Sequence, residues 1–487
     1  MKTTSAKPRT AAGKKSGLGY WMEEVLKEAQ KVATGFDADA VHDLRVALRR
    51  CRSIAEGFQA IDPDPAWKKM RKAGKELFAS LGDLRDCQVM TEWIAKLGSA
   101  EDPITQKLLD YCQGQERTSK IHAEQALQKF NRKQWQAWAK SLPRRTSRIR
   151  PGSEPFQSIT LERWAEARKL HAKASGNRSK TAWHRLRIGV KKFRYVIENF
   201  LPQLHIRLGD GLKEIQDLLG EIHDLDVLWD AAVRTGFLEA PEDRQRWDER
   251  IQSERNSRIE KYREKMLGRD SLWSLWRSAL PQEEKAGQVI LKKLHTWASF
   301  LDPDFQHSRR IARLTLQLYD GLVRVGVLEA SDSDRRTREL LKAAATMHDV
   351  GRSEGGAGHH KTTERLIRKL DLPFGWKPED LEMVALIARY HRGALPRADQ
   401  KRMSRLPGPL QRFTKSMAGV LRLADALDHP HDAVIRRLKV TKPGEFVVVS
   451  AEGLNEESPL AERIAGARHL LEISCGIPIM VRAMVNP

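Results

Sequence analysis

The chain has 487 residues, with 86 Lys and Arg against 64 Asp and Glu, for a formal charge of +22. That length supports two or three domains, each with its own core; the charge favours nucleic acid, a membrane surface or polyphosphate as partner and says nothing of fold. Four scattered cysteines, Cys51, Cys87, Cys112 and Cys475, exclude a disulfide framework. No apolar run reaches the roughly 18 residues of a spanning helix, so a cytoplasmic protein without membrane insertion is expected.

Residues 1–16 are polar and basic without an apolar stretch, and are expected to form a disordered tail rather than a secretory signal. The charge concentrates early: residues 1–200 hold 40 Lys and Arg against 22 Asp and Glu, whereas residues 201–250 hold 6 against 12. Over about residues 19–267 helical periodicity dominates and strand patterns are absent. Within that span Val41-His42-Asp43-Leu44-Arg45 returns 142 residues later as Trp183-His184-Arg185-Leu186-Arg187. The apolar set Val41, Leu44, Leu48, Cys51 and Ala55 matches Trp183, Leu186, Val190, Phe193 and Ile197, both at the spacing of one buried helix stripe. Leu81-Gly82 with Asp86 and Val89 likewise returns as Leu219-Gly220 with Asp224 and Val227. Two related helical halves about a pseudo-two-fold axis follow.

The repeat carries cations. Arg45, Arg49 and Arg52 share one helix face, as do Arg187, Lys191 and Arg194, with Arg50 and Lys192 beside them. Lys68, Lys72 and Lys75 read as a third stripe. Few carboxylates stand at pairing distance along these helices. A solvated face is the usual fate of one such run; three runs, two of them related by the repeat, instead suit a chain of phosphates.

Residues 278–288, with Pro281 and a charged run, read as a linker. Residues 289–487 are again mostly helical, with short strands expected at 446–449 and 477–481. Here histidine and aspartate form an ordered series: His307, then His348-Asp349, His359-His360-Lys361, His391-Arg392, and Asp425 within an apolar helix. A carboxylate in an apolar helix is costly unless paired or metal-bound. His307, His348, Asp349 and Asp425 make a mixed nitrogen and oxygen shell suited to a divalent Mn, Fe, Co, Zn or Mg ion. His360 and His391 offer a second ion, with Asp349 bridging and serving catalysis. Lys361 and Arg392 would orient phosphate oxygens.

Residues 42–58 and 183–200, with 81–89 and 219–227, resemble the signature helices of the CHAD domain. The resemblance implies a pair of pseudo-symmetric four-helix bundles over residues 17–277 that binds inorganic polyphosphate in a basic cavity. His42, Arg45, Arg49, Arg52, His184, Arg187, Lys191 and Arg194 would line it, the two histidines being core residues in the other reading. The His/Asp series resembles the HD metal-dependent phosphohydrolases, whose motif is H…HD…D. More closely, residues 348–351, 358–367, 389–396 and 421–428 resemble the C-terminal domain of the exopolyphosphatase/guanosine pentaphosphatase family. Thr362 departs from that family, whose motif continues His-x-His.

The expected protein is thus mainly α, a polyphosphate-binding module joined to a one- or two-metal phosphohydrolase module with a small strand appendix. Its substrate would be polyphosphate or a phosphorylated nucleotide, and its place the cytoplasm or polyphosphate granules. A non-catalytic polyphosphate scaffold with a relic metal site is the alternative; an RNA-associated protein ranks behind both, because no stacking platform or recognition helix accompanies the cations.

Overall fold

The structure, a computed structural model, describes residues 17–36, 38–176, 179–329, 334–428, 433–455 and 460–484. The expected tail, residues 1–16, lies outside them. The chain divides into two compact units, the boundary falling between Gln282 and Glu283.

The first unit has helices and no strand among its described residues. Its first half holds α1 (Leu18–Gly35), α2 (Ala38–Gln59), α3 (Pro65–Ala73), α4 (Lys75–Leu97), α5 (Pro103–Lys129) and α6 (Arg132–Thr146). Its second half holds α7 (Glu154–Ser175), α8 (Lys180–Phe200), α9 (Pro202–Arg234), α10 (Pro241–Met266) and α11 (Leu272–Ala279). Local chemistry sets several starts: Asp64 and Asp102 accept hydrogen bonds from Ala66 and Ile104, each followed by a proline at the first helical position. Both repeated apolar sets, on α2 and α8, are buried.

The two halves do not fold side by side. α2 packs on α8 and α4 on α9, each helix meeting its own repeat partner. One bundle joins α4, α5, α9 and α10 around Trp93, Leu108, Leu225 and Trp247. The other joins α1, α2, α7 and α8, where Phe58 meets Phe156 and Phe200 edge-on. Each bundle therefore takes two helices from each half. Gly57 permits the α2–α8 approach, since a Cβ there would lie 2.3 Å from the Phe200 ring.

The second unit contains α12 (Glu283–Leu301), α13 (Phe305–Arg324), α14 (Asp334–Met347), a 3-10 turn (Val350–Glu354), α15 (His359–Ile367), α16 (Pro378–Arg389), α17 (Gly408–Leu427) and α18 (Leu460–Cys475). α17 is buried over most of its second half, from Met417 to Leu427. β1 (Arg437–Thr441), β2 (Val447–Glu452) and β3 (Ile479–Ala483) form one sheet, β1–β2 antiparallel and β2–β3 parallel.

Two expectations change. The 278–288 linker is largely helical: α11 ends at Ala279 and α12 begins at Glu283, leaving three residues between. β1 was not expected, because its alternation rests on only two buried apolar residues, Leu438 and Val440. No described helix is long and apolar enough to cross a membrane.

Candidate functional sites

In the first unit the cations of the two halves converge. Arg45 and Arg49 of α2 both act on Lys191 of α8, together with Arg187. Arg45, Arg187 and Lys191 are half-buried. Burial lowers the pKa of all three, that of Lys191 to about 8, where Arg187 and Arg49 add to the burial and Asp224 opposes it. Arg45 is held by a bond from Nη1 to the Leu81 carbonyl and lies over the Phe78 ring, as does Arg52. Two repeat-related carboxylates, Asp86 of α4 and Asp224 of α9, share this region. Burial raises both, Asp224 to about 6, against the pull of the Arg and Lys side chains.

The predicted cations are not equivalent. Arg50 is paired with Glu198 at 2.5 Å and reaches Asn199 at 3.4 Å. Lys192 is paired with Glu56 at 3.3 Å, and Arg194 lies 3.8 Å from Glu198. Carboxylates from the facing helix thus compensate Arg50 and Lys192, which look unpaired along their own, while Arg194 has Glu198 one turn on along α8. Lys68, Lys72 and Lys75 are exposed, but they are not one stripe: Gly74 ends α3 and Lys75 opens α4. The repeated histidines also differ. His42 is exposed, whereas His184 lies with His223, their Nδ1 atoms 3.3 Å apart. Burial, reinforced by Arg187, lowers both, His223 to about 4.

The second unit gathers its His/Asp residues from five elements. His307 lies in the first turn of α13, His348-Asp349 between α14 and the 3-10 turn, His359 at the start of α15, His391 just past α16, and Asp425 in the last turn of α17. His307, His348 and Asp425 offer ligand atoms within 4.8 Å of one another, and so do His348, Asp349 and His391. The two sets share His348, whereas the sequence suggests Asp349 as the bridge. His359, not His360, completes the cluster, its Nε2 3.1 Å from Asp349 Oδ1 and 3.3 Å from His391 Nε2. His360 is one residue round the helix and packs beside Gly393 instead.

Each ring is oriented from behind. Nδ1 of His348, His359 and His391 faces the carbonyls of Ala345, Gly356 and Ala388 at 2.8, 3.0 and 2.6 Å, and Nδ1 of His307 faces Asp428 at 2.7 Å. Nε2 of each ring is thereby turned inward. His348 Nε2 and both Asp349 oxygens are buried without a hydrogen bond. Burial would depress His348, but Asp349 and Asp425 raise it to about 9. Burial with the nearby His348 drives His391 down to about 3. Asp349 and Asp425, which burial alone would raise, are held well below the carboxylate range by the facing histidines.

Gly351 sets the turn that carries Asp349. A Cβ there would lie 2.1 Å from the His359 carbonyl. Its amide donates to Thr363 Oγ1, which donates to the His348 carbonyl, both at 2.9 Å. Arginines line the carboxylates: Arg352 Nε lies 2.7 Å from Asp349, Arg392 Nε 3.4 Å from Asp425, and Arg310 Nε 2.9 Å from Asp428. Lys361 is exposed.

Residues 20–233 match the family model of the CHAD domain, and residues 294–463 match the model of Ppx/GppA phosphatase, domain III. The chain joins these two domains. A crystal structure of the CHAD domain from the plant Ricinus communis is similar at 21% identity, covering 54% of this chain and 88% of that one, with a TM-score of 0.38.

Sequence reasoning missed residues in both domains. In the CHAD domain Asp86 and Asp224 stand in the repeat itself, as spacing markers, and only their place beside the cations marks them as part of the site. In domain III, His359, Arg352 and Asp428 each neighbour a residue the pattern singles out, and helical phase alone separates His359 from His360.

Proposed function

We propose that the CHAD domain captures inorganic polyphosphate and that domain III is a metal-dependent phosphohydrolase acting on polyphosphate or on a phosphorylated nucleotide. One observation carries the enzymatic half: a buried cluster of histidines with Nδ1 anchored and Nε2 turned inward around the buried Asp349, with His348 Nε2 left without a hydrogen bond. Buried polar atoms are paired in most folded proteins, and histidine anchored at its far nitrogen is the usual outer support of a metal ligand.

The donor set fits a divalent Mn, Fe, Co, Zn or Mg ion. His307, His348 and Asp425 would hold one ion, and His348, Asp349 and His391, with His359, a second. Such an ion supplies Lewis acidity and lowers the pKa of water. The chain's own contribution is orientation: Asp428 fixes the His307 ring, Thr363 fixes the His348 carbonyl, and Arg352 and Arg392 present guanidinium groups where phosphate oxygens would lie.

In the CHAD domain, Arg45, Arg49, Arg187 and Lys191 would bind the polyanion. Their shared location, drawn from both halves, supports a chain-like ligand over a single small anion.

The scaffold reading keeps one observation in its favour: Arg352 and Arg392 already sit against Asp349 and Asp425 and offset their charge without an ion. Elemental analysis of the purified chain, followed by phosphate release from long-chain polyphosphate and from guanosine tetraphosphate, separates the two. Bound metal with phosphate release is expected; neither would leave the scaffold. Competition between polyphosphate and an RNA of equal charge tests the other half, and stronger RNA binding would overturn it.

A further inference from the structure

One cavity of the CHAD domain belongs to neither site. It has about 530 Å³, within the range of small-molecule sites, and opens between α1, α2, the α6–α7 connection and the end of α8. Its apolar side is aromatic: Phe156 and Phe200 stack at 4.1 Å, and Phe58 meets both edge-on. Trp21 also lines it, with the Arg50 guanidinium over its ring at 5.7 Å.

The remaining wall is polar. Arg50, Glu198 and Asn199 lie along it in one hydrogen-bonded row, closed by the bond from Asn199 Nδ2 to Ser53 Oγ at 2.9 Å. Arg50 Nε and His205 Nδ1 are buried there without a hydrogen bond. At the mouth stands the exposed Arg150. A second cavity of about 580 Å³ adjoins through Pro151 and Pro202 and adds the exposed Arg207.

These features select among ligands. A carboxylate accepts from ring and exocyclic N–H groups, an amide does both, and a guanidinium donates to ring nitrogens or carbonyls. A lipid tail would leave the Arg50 Nε and the His205 Nδ1 unanswered in an apolar slot, at a cost. A lone phosphate would meet Glu198 and three phenyl rings. A flat heteroaromatic base satisfies the rings and the row together, and Arg150 and Arg207 suit its phosphate. We propose that this cavity binds a purine nucleotide, its base beside Trp21 and against Glu198 and Asn199, its phosphate at Arg150 and Arg207. The CHAD domain would then carry a small-molecule site separate from its polyanion site, and the inference rests on neither function proposed above.

Calorimetry on the full chain, with GMP and AMP as probes, tests it. One nucleotide per chain is expected, with binding unchanged by saturating polyphosphate and by Asp349→Ala. Trp21→Ala should weaken it about tenfold, the effect of losing one stacked base contact, and circular dichroism checks that the variant folds. Arg150→Glu, at an exposed position that leaves the core untouched, should weaken it also and decides the matter if Trp21→Ala does not fold. No binding of either nucleotide to the parent chain overturns the proposal. So does binding that survives both substitutions, that polyphosphate displaces, or that Asp349→Ala abolishes.

Discussion

In the CHAD domain the candidate ligands are half-buried or exposed cations spread over two long helices. In domain III they are histidines and aspartates almost wholly shielded from water and gathered from separate elements, with only His348 and Asp349 adjacent: His307, His348, Asp349 and His391 are at most 1% exposed. The contrast follows from the chemistry each site has to do. A polyanion is held by many charges that must stay hydrated until it arrives, so the cations lie along a helix face and each contributes little alone. A metal centre needs few donors held at fixed distances, which takes burial, close turns such as that at Gly351, and a second rank of hydrogen bonds. Losing one group should therefore be graded in the first site and abrupt in the second.

The most abrupt change should follow Asp349→Ala. The variant is expected to lose bound metal, with affinity down by more than roughly 100-fold, beyond the effect of an outer-shell change, and with it any phosphate release. Polyphosphate binding by the CHAD domain should stay as in the parent, since distant sites on separate units act independently. Elemental analysis beside a polyphosphate binding assay reads both; parallel loss of the two would break the comparison.

Next is charge reversal at the centre of the cation cluster. Arg45→Glu with Arg187→Glu should weaken polyphosphate binding by roughly 100-fold and lower the slope of log affinity against log salt, by about one for each cation lost. Titrations at several salt concentrations measure it, with the Asp349 site as internal control through its metal content. Binding equal to the parent would mean that the polyanion lies elsewhere.

Asp428→Asn sharpens the metal side. The residue touches no ion in the proposed arrangement but orients His307, so metal affinity should fall by roughly 10-fold to 100-fold without being abolished. A loss as complete as that of Asp349→Ala would make Asp428 itself a ligand.

The pH dependence should be gradual and specific to the CHAD domain. Lys191, lowered to about 8 by burial and by Arg187 and Arg49, loses its charge as pH rises through that value. Asp224, raised to about 6 by burial, loses its negative charge as pH falls through that value. Both changes point the same way, so polyphosphate affinity should fall severalfold from about pH 5 to about pH 9. Lys191→Arg should flatten the upper part of the profile; an unchanged profile would contradict the assignment. The smallest effect belongs to Lys192→Ala, less than about twofold on polyphosphate binding, because Glu56 already offsets that charge.

Much of this was legible before any tertiary information. The repeated apolar sets on α2 and α8 lie where helical spacing puts them, because a buried stripe must recur every three or four residues. His307, His348, Asp349, His391 and Asp425 stand out by residue type, and Asp425 by being charged among apolar neighbours. Other residues were not legible. Spacing could not decide between the adjacent His359 and His360, because only the entry angle of α15, held by Gly351 and Thr363, decides which ring turns inward. The Lys68–Lys75 stripe failed for a local reason, the helix break at Gly74.

The amino-acid sequence by itself determined the helices, the repeat, the excess of cations in the first unit and the kinds of donor in the second, because these depend on periodicity and residue chemistry along one strand of chain. Only the tertiary structure decided which cations remain unpaired, since Glu56 and Glu198 reach Lys192 and Arg50 on the facing helix. It also decided that each bundle is shared between the two halves, and that histidines spread over more than 80 residues of sequence, from His307 to His391, point their Nε2 atoms into one space. Those outcomes depend on distances between elements, which packing sets and linear spacing does not encode.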